Sequence, residues 1–357
     1  MTETRYFNIH NIVKFRIEDN SNFINRKMFG GIFEEYINYF SDEIREEDLD
    51  FIVTISRKIK PKPSCYILDD KYYIDRGYLY TEDSYKLAKW RIEIIPNEDK
   101  YMINIEPNNL ARFFISGFFI DFIIQYILTK KGYSILHSSG VSKNGLAYLF
   151  SGRGGSGKTS IGIHLVSSEG EYKFLGDDFI IVHRGYTHPY ITPLNLFTYN
   201  LNPFLLKNLN RKKRAMMFFK KVLYSLTRGY AKFFTKLNPR EAFPEKIGSK
   251  SKLSKVFIIL PRNTKSDDGF TLKSISKTEA VEYVTHNQMM DSPYLPVYIT
   301  QYGFLFPTDE LARYWETYRN NLVQNLPDTV RFYLIYLSLS SDINKSFDKI
   351  KMVIENE

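Results

Sequence analysis

Much of the expected architecture follows from a glycine-rich segment at residues 150–160, which reads Phe-Ser-Gly-Arg-Gly-Gly-Ser-Gly-Lys-Thr-Ser. The apolar residues 146–150 before it predict a short strand, and residues 160–166 after it predict a helix with an apolar face. Within the segment, Gly152, Gly157, Lys158 and Thr159 have the spacing of a phosphate-binding loop. Because a strand, a glycine-rich turn and a helix N-terminus together bind anions, we expect an α/β fold around this loop.

Each part of such a loop has its own task in binding a nucleoside triphosphate. The glycines let backbone N–H groups turn toward phosphate oxygens, Lys158 supplies a positive charge for the β- and γ-phosphates, and the Thr159 hydroxyl is a ligand for Mg²⁺. The sequence therefore predicts ATP and Mg²⁺ as cofactors, although the loop does not distinguish ATP from another donor. The predicted nucleotide-binding residues are contiguous: Gly152, Arg153, Gly154, Gly155, Ser156, Gly157, Lys158, Thr159 and Ser160.

An acidic pair, Asp177-Asp178, follows the loop lysine by about twenty residues, at the end of a predicted strand. A carboxylate in this position can hold Mg²⁺ or accept a proton from an attacking hydroxyl group. Two adjacent carboxylates can divide these tasks, since alternate residues of an extended strand face opposite sides. A surface turn is the alternative interpretation of the pair, and the phosphate-binding loop favours the functional one.

His137 lies 21 residues before Lys158, at the end of a predicted strand that we expect to neighbour the strand before the loop. The Asn144-Gly145 pair before the loop's strand predicts a hairpin turn. Its side chain could enter the same cleft and hydrogen-bond a phosphate or an acceptor. A lone histidine is more often structural, so spacing alone does not assign it a role. Two arginines, Arg228 and Arg262, could stabilise charge on a transferring phosphate, and the sequence does not choose between them.

The chain of 357 residues is long enough for about two domains. Residues 1–108 predict a β-rich module of short strands with no chemical motif, interpreted as a scaffold or a recognition platform. Residues 109–357 predict alternating helices and strands that contain the loop, with a basic helical insertion at about residues 203–245. Two further helices are predicted near residues 278–284 and from about residue 309 to 326. The predicted fold class is α/β.

Composition excludes several classes of protein and site. The single cysteine, Cys65, excludes an intramolecular disulfide and a cysteine-rich metal site. The first residues lack the basic and apolar regions of a secretory signal, which predicts a cytoplasmic protein. Residues 113–128 are nearly all apolar, but this run is shorter than the roughly 20 residues of a membrane span and contains Asp121 and Gln125. We therefore predict a buried helix and no membrane span.

The net charge of +9 is concentrated in one stretch. Residues 207–240 contain eleven Lys or Arg residues and no Asp or Glu, so their positive potential could attract an acidic partner. Aromatic and apolar residues are interleaved with these cations. A helical insertion with a solvated basic face, an acidic peptide or protein, an anionic membrane surface and nucleic acid all remain open, but no motif predicts specific nucleic-acid binding. The oligomeric state is left open.

Three segments together resemble the catalytic core of HPr kinase/phosphorylase and its kinase-like relatives. They are Leu136-His-Ser-Ser-Gly-Val141, Leu149-Phe-Ser-Gly-Arg-Gly-Gly-Ser-Gly-Lys-Thr159 and Phe174-Leu-Gly-Asp-Asp178. The resemblance covers roughly residues 133–183. The resemblance implies a P-loop kinase fold related to phosphoenolpyruvate carboxykinase. It also implies that His137, Lys158 and Asp178 are catalytic, with Asp178 as general base, and that Thr159 and Asp177 hold the metal.

The chain departs from that family in ways that bear on the substrate. HPr-specific members carry a Glu-Ile-Arg-Gly-Leu-Gly-type segment after the aspartates, whereas this chain has Ile191-Thr-Pro-Leu-Asn-Leu-Phe197 and the basic stretch. We therefore expect a Mg²⁺-dependent kinase that transfers the γ-phosphoryl group of ATP to a serine of a peptide or protein other than HPr. A kinase for a small hydroxylated molecule and a non-catalytic nucleotide sensor remain alternatives, and reverse phosphorylase activity is not expected.

Overall fold

The computed structural model describes residues 2–21, 32–56, 58–97, 100–113, 115–168, 170–197, 203–226, 234–262, 270–291, 294–338 and 343–355. The protein is mixed α/β and divides into two compact units. The first unit comprises Met1–Gly132 and Ser292–Tyr318, and the second comprises Tyr133–Asp291 and Arg319–Glu357. Residues 109–132 and 292–318 thus belong to the first unit, which differs from the division at residue 108 expected from the sequence.

The strands of the two units follow one another along the chain. Those of the first unit are β1 Glu3–Ile9, β2 Val13–Asp19, β3 Phe51–Ile55, β4 Tyr66–Leu68, β5 Tyr72–Asp75, β6 Tyr78–Tyr85, β7 Ala88–Asn97 and β8 Lys100–Pro107. Those of the second unit are β9 Ser134–Lys143, β10 Leu146–Ser151, β11 Lys173–Gly176, β12 Phe179–His183, β13 Tyr186–His188, β14 Leu194–Phe197, β15 Phe234–Leu237, β16 Ser251–Arg262, β17 Phe270–Ile275 and β18 Arg331–Ser338.

The α-helices in the described ranges are α1 Ile32–Glu35, α2 Asp121–Lys130, α3 Lys158–Ser167, α4 Pro203–Asn208, α5 Arg211–Leu226, α6 Pro239–Ala242, α7 Lys277–Asp291, α8 Leu295–Leu305, α9 Tyr314–Asn325 and α10 Ile343–Glu355. Short 3₁₀ turns occur at Ile37–Tyr39, Glu46–Asp48 and Ala111–Phe113, and a π-helical turn at Ser116–Ile120 leads into α2. The helix that the sequence predicts from residue 309 begins only at Tyr314, because residues 309–314 form successive i→i+3 turns.

The first unit is built on an eight-stranded sheet in the order β1-β2-β3-β8-β7-β6-β5-β4, which confirms the β-rich pattern of this part of the sequence. The β2–β3 and β3–β8 pairs are parallel, and the other pairs are antiparallel. Along β2, Val13, Phe15 and Ile17 alternate with more exposed residues, as expected for a sheet with one buried face. Phe15 stacks on Phe51 of the neighbouring strand, with ring centroids 4.7 Å apart.

Of the apolar run predicted to be buried at residues 113–128, the part from residue 115 onward is largely buried in the first unit, as predicted. Eight of the ten residues of α2 are buried, including Gln125. Asp121 accepts a 2.8 Å hydrogen bond from the Tyr36 hydroxyl, so its polar group has a partner. In the described part of the chain, no helix combines the length and the apolar character that crossing a membrane requires.

The second unit is built on a mixed sheet in the order β10-β9-β12-β13-β16-β18-β17, with β11 also paired to β9. β10 and β18 run parallel to β16, and β9 and β10 form the hairpin predicted at Asn144-Gly145. Nine of the ten residues of β9 are buried, which is typical of a strand covered on both faces. Helices α3 and α7 both contact β9, the strand that pairs with β10 and so lies next to the loop.

The basic insertion contains more than the predicted helices. α4, α5 and α6 are present, and β15 pairs antiparallel with β14 in a separate two-stranded sheet. Leu205, Met217 and Leu237 pack into the same hydrophobic core as Phe150 and Phe257 of the main sheet. The insertion is therefore anchored to the second unit by apolar burial.

Candidate functional site

The predicted phosphate-binding loop connects the end of β10 to the start of α3. Gly157 caps α3 with a φ of 97°, a left-handed conformation that favours glycine. A Cβ atom on Gly152 would lie 2.7 Å from the Ile259 carbonyl oxygen and 2.8 Å from Ser156 Oγ, so the loop passes too close to β16 for any larger residue. Strand, tight turn and helix N-terminus therefore lie together as the sequence predicts.

The loop residues differ in exposure in a way that suits an anion site. Arg153, Gly154 and Gly155 are exposed at the tip, whereas Gly152, Ser156 and Lys158 are buried. The Ser156 hydroxyl is buried without a hydrogen-bond partner in the described structure. Ser160 is half-buried in the first turn of α3. An anion in the loop could therefore approach from the exposed tip and meet buried donors beneath it.

The side chain of Lys158 is buried within the predicted phosphate-binding loop. Its Nζ donates to the carbonyl oxygens of Gly152 at 2.7 Å and Arg153 at 3.4 Å. Burial lowers the pKa of Lys158, and this effect is opposed by the negative charges of Asp178, Asp177 and Asp291. The loop lysine and three carboxylates therefore belong to one electrostatic cluster.

Thr159 joins the loop to the first carboxylate of the acidic pair. Its hydroxyl lies 2.8 Å from Asp177 Oδ2 and 3.1 Å from Oδ1. Asp177 is buried, and this burial together with the adjacent charge of Asp178 raises the pKa of its carboxyl group to about 7. The two groups predicted to hold a metal thus lie in direct contact, although they come from different elements.

Thr159 and Asp177 provide a donor set suited to Mg²⁺. Hydroxyl and carboxylate oxygens are hard ligands, and Mg²⁺ is usually held by one or two such groups together with waters and substrate phosphates. No cluster of three or more His, Cys, Asp or Glu side chains that could hold a metal is found among the described residues. Thr159 and Asp177 alone would supply only part of the coordination of a Mg²⁺ ion, whose other ligands would be waters or phosphate oxygens.

Asp178 occupies the bend between β11 and β12 rather than an extended strand, so the alternating orientation expected of the pair does not apply. Its φ is 70°, a left-handed conformation that few residues other than glycine adopt. Its carbonyl oxygen accepts a 3.1 Å hydrogen bond from the Ser138 amide of β9, which fixes the bend. Strained backbone of this kind often occurs at functional sites, and the negative charge of Asp178 acts on the loop lysine.

His137 lies inside β9 rather than at the end of a strand as predicted, because β9 continues to Lys143. The prediction that this strand neighbours β10 is confirmed, and β9 also pairs with β12. Its ring is buried, and its Nδ1 lies 2.8 Å from Asp291 Oδ2, although neither ring nitrogen is aligned for a hydrogen bond. Asp291, at the end of α7, is a site residue that the sequence reasoning missed. The predicted helix ended at Val284, and no local motif marks an aspartate more than 150 residues from His137.

Two amides of α7 hold the same part of β9. The His137 amide donates a 3.0 Å hydrogen bond to Gln288 Oε1, and Asn287 Nδ2 donates to the His137 carbonyl oxygen at 3.2 Å. Asn287 Nδ2 also lies 3.3 Å from the Ser151 hydroxyl, at the start of the loop. Helix α7 thus ties β9 to the loop through buried polar contacts that sequence reasoning also missed.

We expect Gln288→Leu to lower the free energy of unfolding by about 1–3 kcal/mol, because the buried His137 amide would lose its acceptor. Denaturant unfolding of the full chain measures this change. Gln324→Leu is the matched control, since Gln324 is exposed on α9, and it should change stability by less than about 0.5 kcal/mol. Equal stabilities of the two variants would contradict a structural role for the Gln288 contact.

A cavity of about 500 Å³ lies beside the loop, on the side of β16. Its walls include backbone and side chains of the loop, of β16 and of one face of α7, among them Gly152, Arg153, Ile258, Leu260, Tyr283 and Asn287. The acidic pair follows β11, which lies on the other side of β10 with β9. The loop therefore has a cavity on one side and carboxylates on the other.

Of the two arginines predicted as candidates for stabilising charge on the phosphate, Arg262 is exposed at the end of β16, and Arg228 lies outside the described residues.

A comparison of the chain with models of protein families found no match, and a comparison with curated proteins found none.

Proposed function

We propose that the second unit is a P-loop kinase domain of the HPr kinase and phosphoenolpyruvate carboxykinase type, which transfers the γ-phosphoryl group of ATP to a hydroxyl group. The observation that carries this proposal is the contact of the Thr159 hydroxyl with Asp177, 2.8 Å from Oδ2. It brings the acidic pair to the phosphate-binding loop, as phosphoryl transfer requires. A loop that only bound phosphate would not need carboxylates beside its lysine.

The two sides of the loop suggest how the nucleotide is oriented. The cavity of about 500 Å³ near β16 has room for the nucleoside, and the carboxylates lie on the β9 side. The loop amides and Lys158 would hold the phosphates between them, with the γ-phosphate toward Asp177 and Asp178. Fixed donors placed in this way stabilise the charge that develops on the transferring group.

Thr159 and Asp177 would hold Mg²⁺, which when bound neutralises phosphate charge. Asp178 would accept the proton of the acceptor hydroxyl as the new O–P bond forms and the bond from the γ-phosphorus to the β–γ bridging oxygen breaks, leaving ADP. His137, beside Asp291, would orient the acceptor or the phosphate. Each role uses a side chain in the cluster around Lys158.

Incubation of the purified chain with γ-labelled ATP and fractions of a cell extract tests this function. A serine in a peptide or protein is the expected acceptor, so label should appear on a protein band and survive conditions that hydrolyse acyl phosphates. Label on a small molecule would instead support the small-molecule kinase. The Lys158→Ala variant is the control, and the absence of label with every fraction would favour a nucleotide sensor and contradict the kinase.

A pair of substitutions at Thr159 tests the metal site. Thr159→Val keeps the shape of the side chain but removes the hydroxyl, so we expect the Mg²⁺ concentration for half-maximal activity to rise about tenfold. Thr159→Ser retains the hydroxyl and should stay within about threefold of the wild type. Titration of activity with Mg²⁺ measures both, and an unchanged requirement in Thr159→Val would exclude Thr159 as a metal ligand.

A further inference from the structure

Helix α5 has one side fixed to the second unit. Met217 is 2% exposed in the hydrophobic core, and Lys213 forms an ion pair with Glu241 of α6. Lys220 Nζ donates a 3.0 Å hydrogen bond to the Thr235 hydroxyl of β15. Residues 213, 217 and 220 lie on one face at the helical spacing of three and four, so this face points toward the protein.

The opposite face of α5 is apolar and exposed. Phe218 is 70% exposed, Phe219 62% and Leu226 73%, and Val222 and Ala215 complete this outward face. Residues 215, 219, 222 and 226 repeat at intervals of three and four, so they form one stripe, with Phe218 beside it. Single exposed apolar residues are common on proteins, whereas a contiguous group of this kind marks an interaction surface.

Positive charge surrounds the outward face. Residues 207–226 contain seven Lys or Arg residues and no Asp or Glu. Arg211, Lys212, Arg214 and Lys221 are exposed. An exposed aromatic and aliphatic stripe flanked by cations is the pattern of a helix that lies in the interface of a membrane with anionic lipids.

We propose that α5 attaches this protein to the surface of an anionic lipid bilayer. Phe218, Phe219 and Leu226 would enter the boundary between headgroups and acyl chains, and the flanking cations would contact anionic headgroups. The distribution of charge favours a lipid surface as the partner. The cations lie on both sides of the apolar stripe, and a continuous anionic surface can contact all of them simultaneously. The outward face is one side of a single helix, and its exposed residues suit contact with a planar surface. This attachment needs no spanning helix and does not depend on phosphoryl transfer.

Co-sedimentation of the full chain with lipid vesicles tests the attachment. One set of vesicles contains phosphatidylcholine alone, and the other contains about one third phosphatidylserine. We expect at least about tenfold tighter binding to the anionic vesicles, weakening as salt rises from about 0.1 M to about 0.5 M. Binding to neither set, or equal binding to both, would overturn the proposal.

Variants of exposed residues separate the apolar contribution to vesicle binding from the electrostatic one without disturbing the core. Phe218→Ser with Phe219→Ser should weaken binding to anionic vesicles at least about tenfold, since two large apolar contacts are lost. Lys212→Gln with Lys221→Gln should weaken it by about fivefold for each charge and reduce the salt dependence. Circular dichroism and thermal unfolding of both variants should match the wild type.

The matched control replaces two exposed apolar residues elsewhere, Leu87 and Phe304, which are 75% and 76% exposed. Leu87→Ser with Phe304→Ser should keep wild-type binding to the anionic vesicles. Equal loss in this control would overturn the assignment to α5. If instead the wild type self-associates in sedimentation velocity without vesicle binding, and Phe218→Ser with Phe219→Ser is monomeric, the outward face is a contact between copies and the lipid proposal is wrong.

Discussion

Replacement of Lys158 by alanine is expected to lower the rate of phosphoryl transfer by about a hundredfold to a thousandfold, the usual effect of removing one fixed donor at a charged transition state. Lys158 is buried in the loop with its Nζ 2.7 Å from the Gly152 carbonyl oxygen, whereas Arg153, the other cation of the loop, is exposed at the tip. Its loss would also leave Asp177, Asp178 and Asp291 without the positive charge that they share. Initial rates with labelled ATP measure the effect, and calorimetry should show weaker nucleotide binding.

Two further variants test whether the loss of activity comes from the charge of Lys158. Lys158→Met keeps the buried stem and removes only the charge, so it should lose as much activity as Lys158→Ala while staying closer to wild-type stability. Lys252→Ala removes an exposed lysine of β16 and should retain full activity. A rate for Lys158→Met near that of the wild type would mean that Lys158 does not hold the phosphates.

Replacement of Asp178 by asparagine should lower kcat by about a hundredfold to ten-thousandfold, the usual contribution of a general base, while ATP affinity changes little. Asparagine tolerates the left-handed backbone as well as aspartate does, so the φ of 70° at the bend can be kept. The hydrogen bond from the Ser138 amide to the carbonyl oxygen of residue 178 involves only backbone atoms and should also be retained. The variant therefore removes the proton acceptor without changing the shape of the site.

Comparison of kcat with the nucleotide Kd distinguishes this role from a structural one. Asp328→Asn is the matched control, because Asp328 is 94% exposed and pairs only with Lys277 among the described residues. That control should match the wild type, since exposed ion pairs contribute little. Transfer by Asp178→Asn at the wild-type rate would show that another group accepts the proton.

Local patterns in the sequence predict the parts of this site that depend on neighbouring residues. The glycines at 152 and 157, the lysine and the hydroxyl residue lie within eight positions, and each meets a backbone or chemical requirement of its own turn. The hairpin at Asn144-Gly145 and the strands around the loop are confirmed for the same reason. The family resemblance and the kinase activity remain predictions.

Contacts between residues that are far apart in the sequence could not be predicted from such local patterns. Asp291, Gln288 and Asn287 reach β9 because α7 packs on that strand, about 150 residues away in sequence. Nothing local to α7 marks these polar residues, since an aspartate or an amide at a helix end is common on any surface.

The sequence alone therefore determined the loop, its flanking strand and helix, and the presence of an acidic pair, because these follow from short-range backbone and charge requirements. Only the tertiary structure decided that Thr159 meets Asp177, that Asp291 lies beside His137, and which face of α5 is exposed. Those facts depend on how distant segments bury their apolar faces against one another, and burial is a property of the packed chain rather than of any one segment.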